Sequence, residues 1–562
     1  MVDSLLLRFW FGFGFHLIEF TNSVLPEAYL LPIGMPDRPT SSKTMSDRDR
    51  ISGLPDPIVH HIMSFLPSDD VARAGSLSKT WQSLGSTNPN LDFDQTAFQR
   101  TLPETLSAVE KLDLFLTSLN RPLQRLEERS MNVHKLKLRA IVRDPRLFEL
   151  AVQRALKSNA QEIELDYYDL DNRYYKMPQC LYSAKPVKRM KLTGFEAGIV
   201  DLLSGCPSIE ELDLVWCNSS EDVKFSSDKL LKFHVELQVC GGLKSIELDA
   251  CNLQSFSYYG YSIDYNAVRA ASSVTRRTCT INLSTCTFLR SLSLKNAKVS
   301  DRWLERHISA LAHLEDLSLV RCGGLASVRI FHEKLKRLHL ISCVKVEEAE
   351  IDCPKLRRFV FEGGLPRFGF LNSSGSLVAT LTVQKGTTIW WFRQFRRLLG
   401  LFDHCKTLEI ICDSYEELVF PEEARESFLP PLHDLKHLKI NCRSSTVDYT
   451  ELVDNLLWLS PHLEIMFLNS KVENHCLKFQ YKKISEEKGE EDLLYCCRAY
   501  PKECWRHCLE KVIIDNLDGS ANGNDNRKNL LNFFCENAKG LESIQDKSRT
   551  FKVAEGKFLN NQ

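Results

Sequence analysis

A short pattern of apolar and polar residues recurs along the central part of the chain. Each copy reads Leu-x-x-Leu-x-Leu or a close variant, and successive copies at Leu289, Leu314, Leu335 and Leu356 begin 25, 21 and 21 residues apart. Apolar residues that alternate with polar ones over so few positions predict short strands with one buried face. No such strand can bury its apolar row alone, so we expect the copies to stack on one another.

The copies predict leucine-rich repeats, whose period is about 20–29 residues. We expect an α/β fold in which a curved solenoid over residues 100–470 carries parallel strands along one face. A solenoid of this kind offers an extended concave surface, and its outward strand positions (Glu211, Glu247, Ser293, Asp316 and Arg337) are chemically mixed. The successive copies are HKLKLRA, QEIELDY, KRMKLTG, IEELDLVWC, LKSIELDAC, LRSLSLKNA, LEDLSLVRC, LKRLHLISC, LRRFVFEGG, LKHLKINCR and LEIMFLNSK.

Residues 48–93 show a helical pattern instead. Pro55 suits a helix start, because its ring fixes φ and it has no amide donor, and Pro67 disfavours continuation of that helix. A second helical segment is predicted at residues 71–76 and a third from residue 77. Residues on the first helix recur at three- and four-residue spacing and predict one apolar stripe: Ile58, Ile62, Phe65 and Leu66.

The stretch LPDPIVHHIMSFLPSDDVARAGSLSKTW resembles an F-box. This resemblance implies docking on a Skp-type adaptor and, through it, on a cullin ubiquitin ligase. A generic helical hairpin around a buried tryptophan is the alternative interpretation. A module this small buries little surface, so we expect some of its apolar residues to lie exposed. The resemblance implies these adaptor contacts or supports: Leu54, Pro55, Ile58, Ile62, Leu66, Val71, Leu77 and Trp81.

Residues 1–44 are apolar and aromatic, then rich in proline. Arg8 interrupts the apolar run and no small-x-small cleavage site follows, so the stretch is a poor signal peptide. The run is also short for a membrane span. We expect an unstructured or spurious extension, with Met45 as the more natural start; a membrane anchor is the alternative.

The C-terminal part contains a hydrophilic run at 483–494, which predicts a loop, and then a cysteine-rich stretch. A zinc site is the alternative for that stretch, but it has no Cys-x-x-Cys pair. The Leu-rich strand, Gly-containing loop and helix ending in Asn-Ala resemble the FBD region of plant F-box proteins. We expect residues 495–550 to form an FBD-like cap on the open end of the solenoid. The candidate ligands of the zinc alternative are Cys496, Cys497, Cys504, His507 and Cys508.

One segment, at 387–405, has the pattern of an amphipathic helix. We expect it on the convex side with its arginines solvated, although such a helix can also bind a membrane surface or nucleic acid. The predicted basic face contains Arg393, Arg396 and Arg397. The predicted apolar face contains Trp390, Trp391, Phe395, Leu398, Leu399 and Phe402.

Charge and cysteine content narrow the function further. The chain has 72 Lys and Arg against 73 Asp and Glu, so no global charge favours nucleic acid. Its 19 cysteines are unevenly spaced, which suggests small buried side chains in a reducing compartment, the nucleus and/or cytoplasm. Cys217, Cys251, Cys322 and Cys343 each follow a predicted strand. Metal ligation by this series is the alternative, but its spacing places each cysteine in a different coil.

The usual catalytic motifs are absent from the sequence: it has no GxxxxGK[ST], GxGxxG, HExxH or GxSxG pattern. We therefore expect no catalysis, cofactor, metal, nucleic acid or membrane. The expected function is a substrate-recognition subunit of a Skp–cullin–F-box ubiquitin ligase, whose repeats bind an unknown target protein. The alternative is a repeat protein that binds a protein or small ligand without any role in ubiquitination.

Overall fold

A ladder of short parallel strands forms the body of the protein. The computed structural model describes residues 54–559 except for 64, 67, 76–78, 142–144, 169–173, 220–221, 238–242, 261–278, 344, 384–385, 387, 444–448, 471–473, 483–503, 516–522, 547–548 and 555–556. The predicted extension at 1–44 and the predicted loop at 483–494 lie outside the described residues. Among the described residues, no helix is both long and apolar enough to cross a bilayer.

The helices lie at the N-terminus and on the backs of several coils. Two short 3₁₀ helices, Gln179–Ser183 and Tyr415–Glu417, accompany them. The α-helices are α1 Asp56–Met63, α2 Ser68–Ala74, α3 Lys79–Gly85, α4 Gln95–Arg100, α5 Ala108–Glu128, α6 Pro145–Lys157, α7 Ile199–Gly205, α8 Asp301–Ala310, α9 Ile389–Gly400, α10 Glu422–Ser427, α11 Tyr449–Leu459, α12 Trp505–Cys508 and α13 Gly523–Asn537.

The strands are short, as a period near 20 residues requires. They are β1 Asn90–Asp94, β2 Lys135–Ala140, β3 Glu162–Tyr167, β4 Tyr175–Lys176, β5 Arg189–Thr193, β6 Phe195–Glu196, β7 Glu211–Cys217, β8 Asp222–Ser226, β9 Lys232–Leu237, β10 Ser245–Asp249, β11 Ser255–Tyr259, β12 Thr280–Asn282, β13 Ser291–Lys295, β14 Asp316–Val320, β15 Ser327–Phe331, β16 Arg337–Ile341, β17 Glu348–Asp352, β18 Arg358–Gly363, β19 Arg367–Asn372, β20 Val378–Val383, β21 Thr407–Cys412, β22 His437–Cys442, β23 Ile465–Asn469, β24 Asn474–Tyr481, β25 Leu509–Asp515, β26 Ser543–Asp546, β27 Arg549–Ala554 and β28 Lys557–Leu559.

One sheet of 20 strands runs through the described part of the chain. Its parallel part joins β1, β2, β3, β5, β7, β9, β11, β13, β14, β16, β18, β20, β21, β22 and β23 in that order. The N-terminal helices and this large, mostly parallel sheet confirm the predicted α/β leucine-rich-repeat architecture.

Alternation of buried and half-exposed residues explains why these segments form strands. In β14, Leu317 and Leu319 are buried, whereas Asp316, Ser318 and Val320 lie on the other face. The residues in register on β13 and β16 follow the same alternation, so the leucines of neighbouring coils stack in rows. The core is therefore a continuous column of leucines between the sheet and the backs of the coils.

Two groups of coils carry a second strand on their backs. The strands β8, β10 and β12 form one lateral parallel sheet, and β15, β17 and β19 form another. The copy LKSIELDAC supplies β10, so Glu247 lies on the lateral sheet and its prediction as an outward residue of the main face is wrong. The main strands before and after β10 in the sequence, β9 and β11, were not predicted. The pattern selected β10 in their place, because a lateral strand buries alternate residues in the same way as a main strand.

Buried cysteines close the turn after several main strands, as predicted. The Cys217 thiol donates to the carbonyl of Leu192 at 3.4 Å, and Cys322 and Cys343 repeat this contact on the carbonyls of Leu294 and Leu319 at 3.5 Å. Cys251 is exposed, so its prediction as a buried turn residue is wrong. It follows a lateral strand, where the chain turns at the surface.

The ladder changes direction at its C-terminal end. Strand β24 pairs antiparallel with β23 and β25, and β26 continues parallel to β25 before two further antiparallel strands. The predicted strand LEKVIIDNL corresponds to β25, and the predicted final helix corresponds to α13.

Helix α9 was predicted in the right place but with one wrong residue on its apolar face. Trp391, Phe392 and Phe395 are buried, and the Trp391 ring lies 4.9 Å from that of Phe395. Trp390 is exposed beside Ile389. Because residues two apart point to nearly opposite sides of a helix, burial of Phe392 turns Trp390 away from the core.

Candidate adaptor-docking face

A small hydrophobic core holds the first three helices together. It consists of Val59 and Met63 from α1, Val71 from α2, and Trp81 and Leu84 from α3. It is separate from the column of leucines in the repeats. The amides of Ile58 and Val59 donate to the Pro55 carbonyl, so α1 begins directly after Pro55, as predicted.

The side of α1 that faces away from this core presents exposed apolar side chains, together with one residue just before the helix and one just after it. Leu54 is 37% exposed, Ile58 47%, Ile62 37% and Phe65 74%. Ile58 and Ile62 are four residues apart and therefore share one side of the helix, away from Val59 and Met63. We call Leu54, Ile58, Ile62 and Phe65 the α1 face. Exposed apolar side chains that form a contiguous row are typical of protein interaction sites.

The predicted site residues divide into three groups. Leu54, Pro55, Ile58 and Ile62 are exposed, and Leu66 is half-buried. Leu77 lies outside the described residues. Val71 and Trp81 lie in the small core, so they support the α1 face from behind rather than form part of it. Phe65 was part of the predicted stripe but was left out of the predicted contacts, although it is the most exposed residue of the face.

The two adjacent histidines of α1 have different environments. His60 Nε2 lies 3.3 Å from both the Leu84 carbonyl and the Thr87 hydroxyl, so this ring ties α1 to the end of α3. The His61 ring packs edge-on against Phe65 at 5.0 Å and borders the α1 face.

A hydrogen bond joins the helical module directly to the strand ladder. The Ser68 hydroxyl at the start of α2 accepts from the Asp92 amide of β1 at 2.8 Å. Only four residues, 86–89, separate α3 from β1, and β1 pairs in register with β2. Residues 90–93, predicted as the end of the helical module, are thus already part of the sheet.

Ion pairs cross between neighbouring strands on the outward face of the first coils. Arg139 lies between Asp94 at 2.7 Å and Asp166 at 3.5 Å, and Lys135 pairs with Glu164 at 3.1 Å. Burial opposes ionisation of Asp94, yet its pKa is lowered, because the Ala97 amide and Arg139 stabilise the carboxylate. These charges are largely neutralised within the protein itself.

The cysteine-rich stretch supplies close contacts but no metal centre within the described residues. Cys504 Sγ lies 3.2 Å from His507 Nδ1, and Cys508 Sγ lies 3.9 Å from His462 Nε2. No group of three or more potential ligands comes together in the part of the chain that the structure describes. Cys496 and Cys497, the other members of the predicted zinc alternative, lie outside it.

Comparison with known families identifies two regions. The F-box domain family matches residues 51–92, which include all three N-terminal helices. The family described as "At1g61320/AtMIF1, LRR domain" matches residues 272–516. F-box domains generally bind Skp-type adaptors. The chain therefore resembles an F-box domain in one region and a leucine-rich-repeat domain in another.

Similar curated proteins include plant proteins that are described as F-box/LRR-repeat proteins. F-box/LRR-repeat protein At3g59200 of Arabidopsis thaliana is 30% identical over 249 residues, which cover 38% of this chain and 46% of that protein. Putative F-box/LRR-repeat protein At4g00320 of the same plant is 24% identical over 371 residues, which cover 56% and 72%. The chain thus spans about half the length of the first of these relatives. The FBD-like assignment of residues 495–550 stays a prediction.

Proposed function

We propose that this chain is a substrate-recognition subunit of a Skp–cullin–F-box ubiquitin ligase and acts as a non-catalytic adaptor. The observation that carries the proposal is the α1 face, an apolar row on an F-box whose own core is already closed behind it. In the proposed complex the α1 face is buried against a Skp-type adaptor, which connects the chain to a cullin. The repeats hold a target protein.

The proposed chemistry needs no catalytic residue in this chain. Holding a target protein and a charged ubiquitin carrier in one assembly raises the local concentration of target lysines around the carrier. That effect depends on geometry and affinity alone. We further propose that the protein acts in the nucleus or cytoplasm, where its buried free thiols stay reduced.

The α1 face can be tested by truncation of two exposed residues. We expect Ile58→Ala/Ile62→Ala to weaken binding to a purified Skp-type adaptor by about tenfold or more, because the complex would bury the exposed 47% and 37% of two side chains whose full burial contributes roughly 1.5–3 kcal/mol each. Both residues are exposed, so the variant should fold normally. The measurement is isothermal titration calorimetry, with the melting temperature of each chain recorded alongside.

Phe331→Ala is the matched control, since Phe331 is a large exposed apolar residue on a lateral strand. It should bind the adaptor like the wild-type chain. If the wild-type chain binds no Skp-type adaptor, or if the double variant binds as tightly as wild type, the proposal is wrong. The first result would favour a repeat protein that binds its ligand without ubiquitination.

A further inference from the structure

The residue that follows each of several main strands has a left-handed backbone. Asn296, Arg321 and Ser342 have φ of 53°, and Gly194 has φ of 80°. Trp216, inside β7, corresponds to Gly194, since Val215 pairs with Thr193, and its φ is 50°. A bulky residue is a rare occupant of this region, which costs a non-glycine residue about 1–2 kcal/mol. Trp216 therefore stands where the backbone favours a glycine.

The backbone around Trp216 is also irregular. The register between β7 and β9 shifts between Leu214 and Cys217, so Val215 and Trp216 together oppose one residue of β9. Such a β-bulge redirects the side chain that it carries, and bulges are frequent beside functional sites. Here the redirected side chain is an indole that is 42% exposed. It contributes little to the core, so burial does not account for its strained backbone.

Neighbouring coils extend the exposed indole into an apolar patch. Tyr168 follows β3, is 40% exposed, and meets the Trp216 ring edge-on with centroids 6.1 Å apart. Gly194 occupies the corresponding position after β5, where a Cβ would lie 2.2 Å from the Tyr167 carbonyl oxygen. Ile141 follows β2 at the corresponding position and is 44% exposed.

The outward residues beside Trp216 leave negative charge incompletely neutralised. Among the described residues, Asp213 on β7 and Glu236 on β9 both lie near His234, at 3.8 and 4.0 Å. Asp213 Oδ1 makes no hydrogen bond within the described residues. Burial raises the pKa of Asp213, with His234 and Lys191 acting in the opposite direction. A cation placed against these two carboxylates would supply the missing countercharge.

We infer that Ile141, Tyr168 and Trp216, together with Asp213 and Glu236, form a contact site for a segment of a partner protein in which an apolar side chain accompanies a lysine or arginine. We call these five residues the Trp216 patch. The inference deepens the proposed function and rests on it, since the partner would be the target protein. Exposed tryptophan and tyrosine side chains are the residues that most often dominate interface energies.

Geometry sets the spacing of the two recognised residues. Trp216 follows Asp213 by three residues on one strand, which corresponds to about 10 Å of extended chain. An extended partner segment should therefore carry its basic residue about three positions from its apolar residue. A nucleic acid or an acidic membrane surface fits poorly, because its phosphates would face Asp213 and Glu236.

Replacement of Trp216 by glycine separates binding from stability. The full chain and its Trp216→Gly variant are tested against an array of nine-residue peptides. Each peptide has Trp or Ala at one position and Lys, Ser or Glu three positions away, and affinities are measured by fluorescence polarisation. We expect wild type to prefer Trp with Lys over Trp with Glu by at least tenfold, and Trp216→Gly to lose this binding at least tenfold.

The melting temperature of Trp216→Gly should equal or exceed that of wild type, because glycine accepts a positive φ without strain. Arg321→Gly, at the same position after β14, is the matched control and should bind the peptides normally. Asp213→Asn should reduce the preference for Lys over Ser while it keeps the preference for Trp over Ala. A lower melting temperature with unchanged peptide binding in Trp216→Gly would assign the indole a structural role and overturn the inference.

Other outcomes also decide the question. Absence of any peptide preference, self-association that Trp216→Gly abolishes, or Trp216-dependent binding to acidic lipid vesicles would each overturn the assignment to a partner protein. Adaptor binding by Trp216→Gly should match wild type. Peptide recognition without adaptor binding would contradict the proposed ligase role alone, whereas adaptor binding without peptide recognition would contradict the Trp216 patch alone.

Discussion

At the scale of single residues, the buried thiols that close the strand turns are chemically protected. Burial raises the pKa of Cys217, Cys353 and Cys405 from 9.0 to about 12. The thiolate is the reactive form of cysteine, so these residues should resist alkylation and oxidation near neutral pH. Cys217 and Cys353 also donate weak hydrogen bonds to carbonyls of the neighbouring coils.

The raised pKa values predict a loss of stability at alkaline pH. Between about pH 9 and 12 the unfolded chain releases these thiol protons and the folded chain keeps them, so the free energy of unfolding falls as pH rises. Urea midpoints measured under reducing conditions at pH 8, 9 and 10 should decrease progressively above pH 9. Cys405→Ala should flatten this decrease in part, whereas Cys251→Ala, at an exposed cysteine, should not.

Sequence patterns locate some site residues but not others. The spacing of Ile58, Ile62 and Phe65 predicts one side of a helix, but spacing alone leaves open whether that side faces inward. The core uses Val59 and Met63 instead, since the chain places α3 behind them. Trp216 cannot be singled out from sequence, because its strained φ and its bulge depend on how β7 pairs with β9.

At the scale of elements, the strand pattern predicts most of the main ladder. It misses β9 and β11 and selects the lateral strand β10 between them, because β10 and a main strand such as β14 bury alternate residues in the same way. Only the pairing of each strand with its neighbours distinguishes the lateral sheet from the main one, and pairing is a property of the stacked coils. Helix α9 was predicted in place, but its predicted apolar face contained Trp390, which is exposed, instead of Phe392, which is buried.

Two positions of α9, Trp390 and Phe395, test which side of the helix belongs to the core. Phe395 is fully buried and lies 6.0 Å from the Phe420 ring, so Phe395→Ala should cost about 3–5 kcal/mol of unfolding free energy. Trp390→Ala removes a larger but exposed ring and should change stability by less than about 0.5 kcal/mol. Denaturant midpoints of the two variants provide the measurement. Equal losses would show that Trp390 also belongs to the core.

At the scale of the whole molecule, the F-box and the repeats have separate hydrophobic cores. The F-box core has five buried residues, whereas the repeat core is continuous across the coils. So small a core contributes little stability of its own. A partner that binds the folded F-box should therefore stabilise α1, α2 and α3 much more than the strands of the ladder.

Hydrogen exchange can measure this difference. A Skp-type adaptor at about 100 times its dissociation constant should stabilise the F-box by about 2.7 kcal/mol, which slows exchange in α1 to α3 by about 100-fold. Amides of β13, β14 and β16 should exchange as in the free chain. The Ile58→Ala/Ile62→Ala variant should lose the added protection. Equal slowing in the helices and the ladder would show that the two cores unfold together.

The hydrogen bond between Ser68 and Asp92 has a consequence for which targets can be modified. Because only four residues lie between α3 and β1, no long linker separates the F-box from the repeats. Under the proposed function the chain therefore holds its target at a fixed distance from the ubiquitin carrier. A target would be modified only where one of its lysines falls within that reach. A tightly bound protein without such a lysine would occupy the ligase and inhibit it.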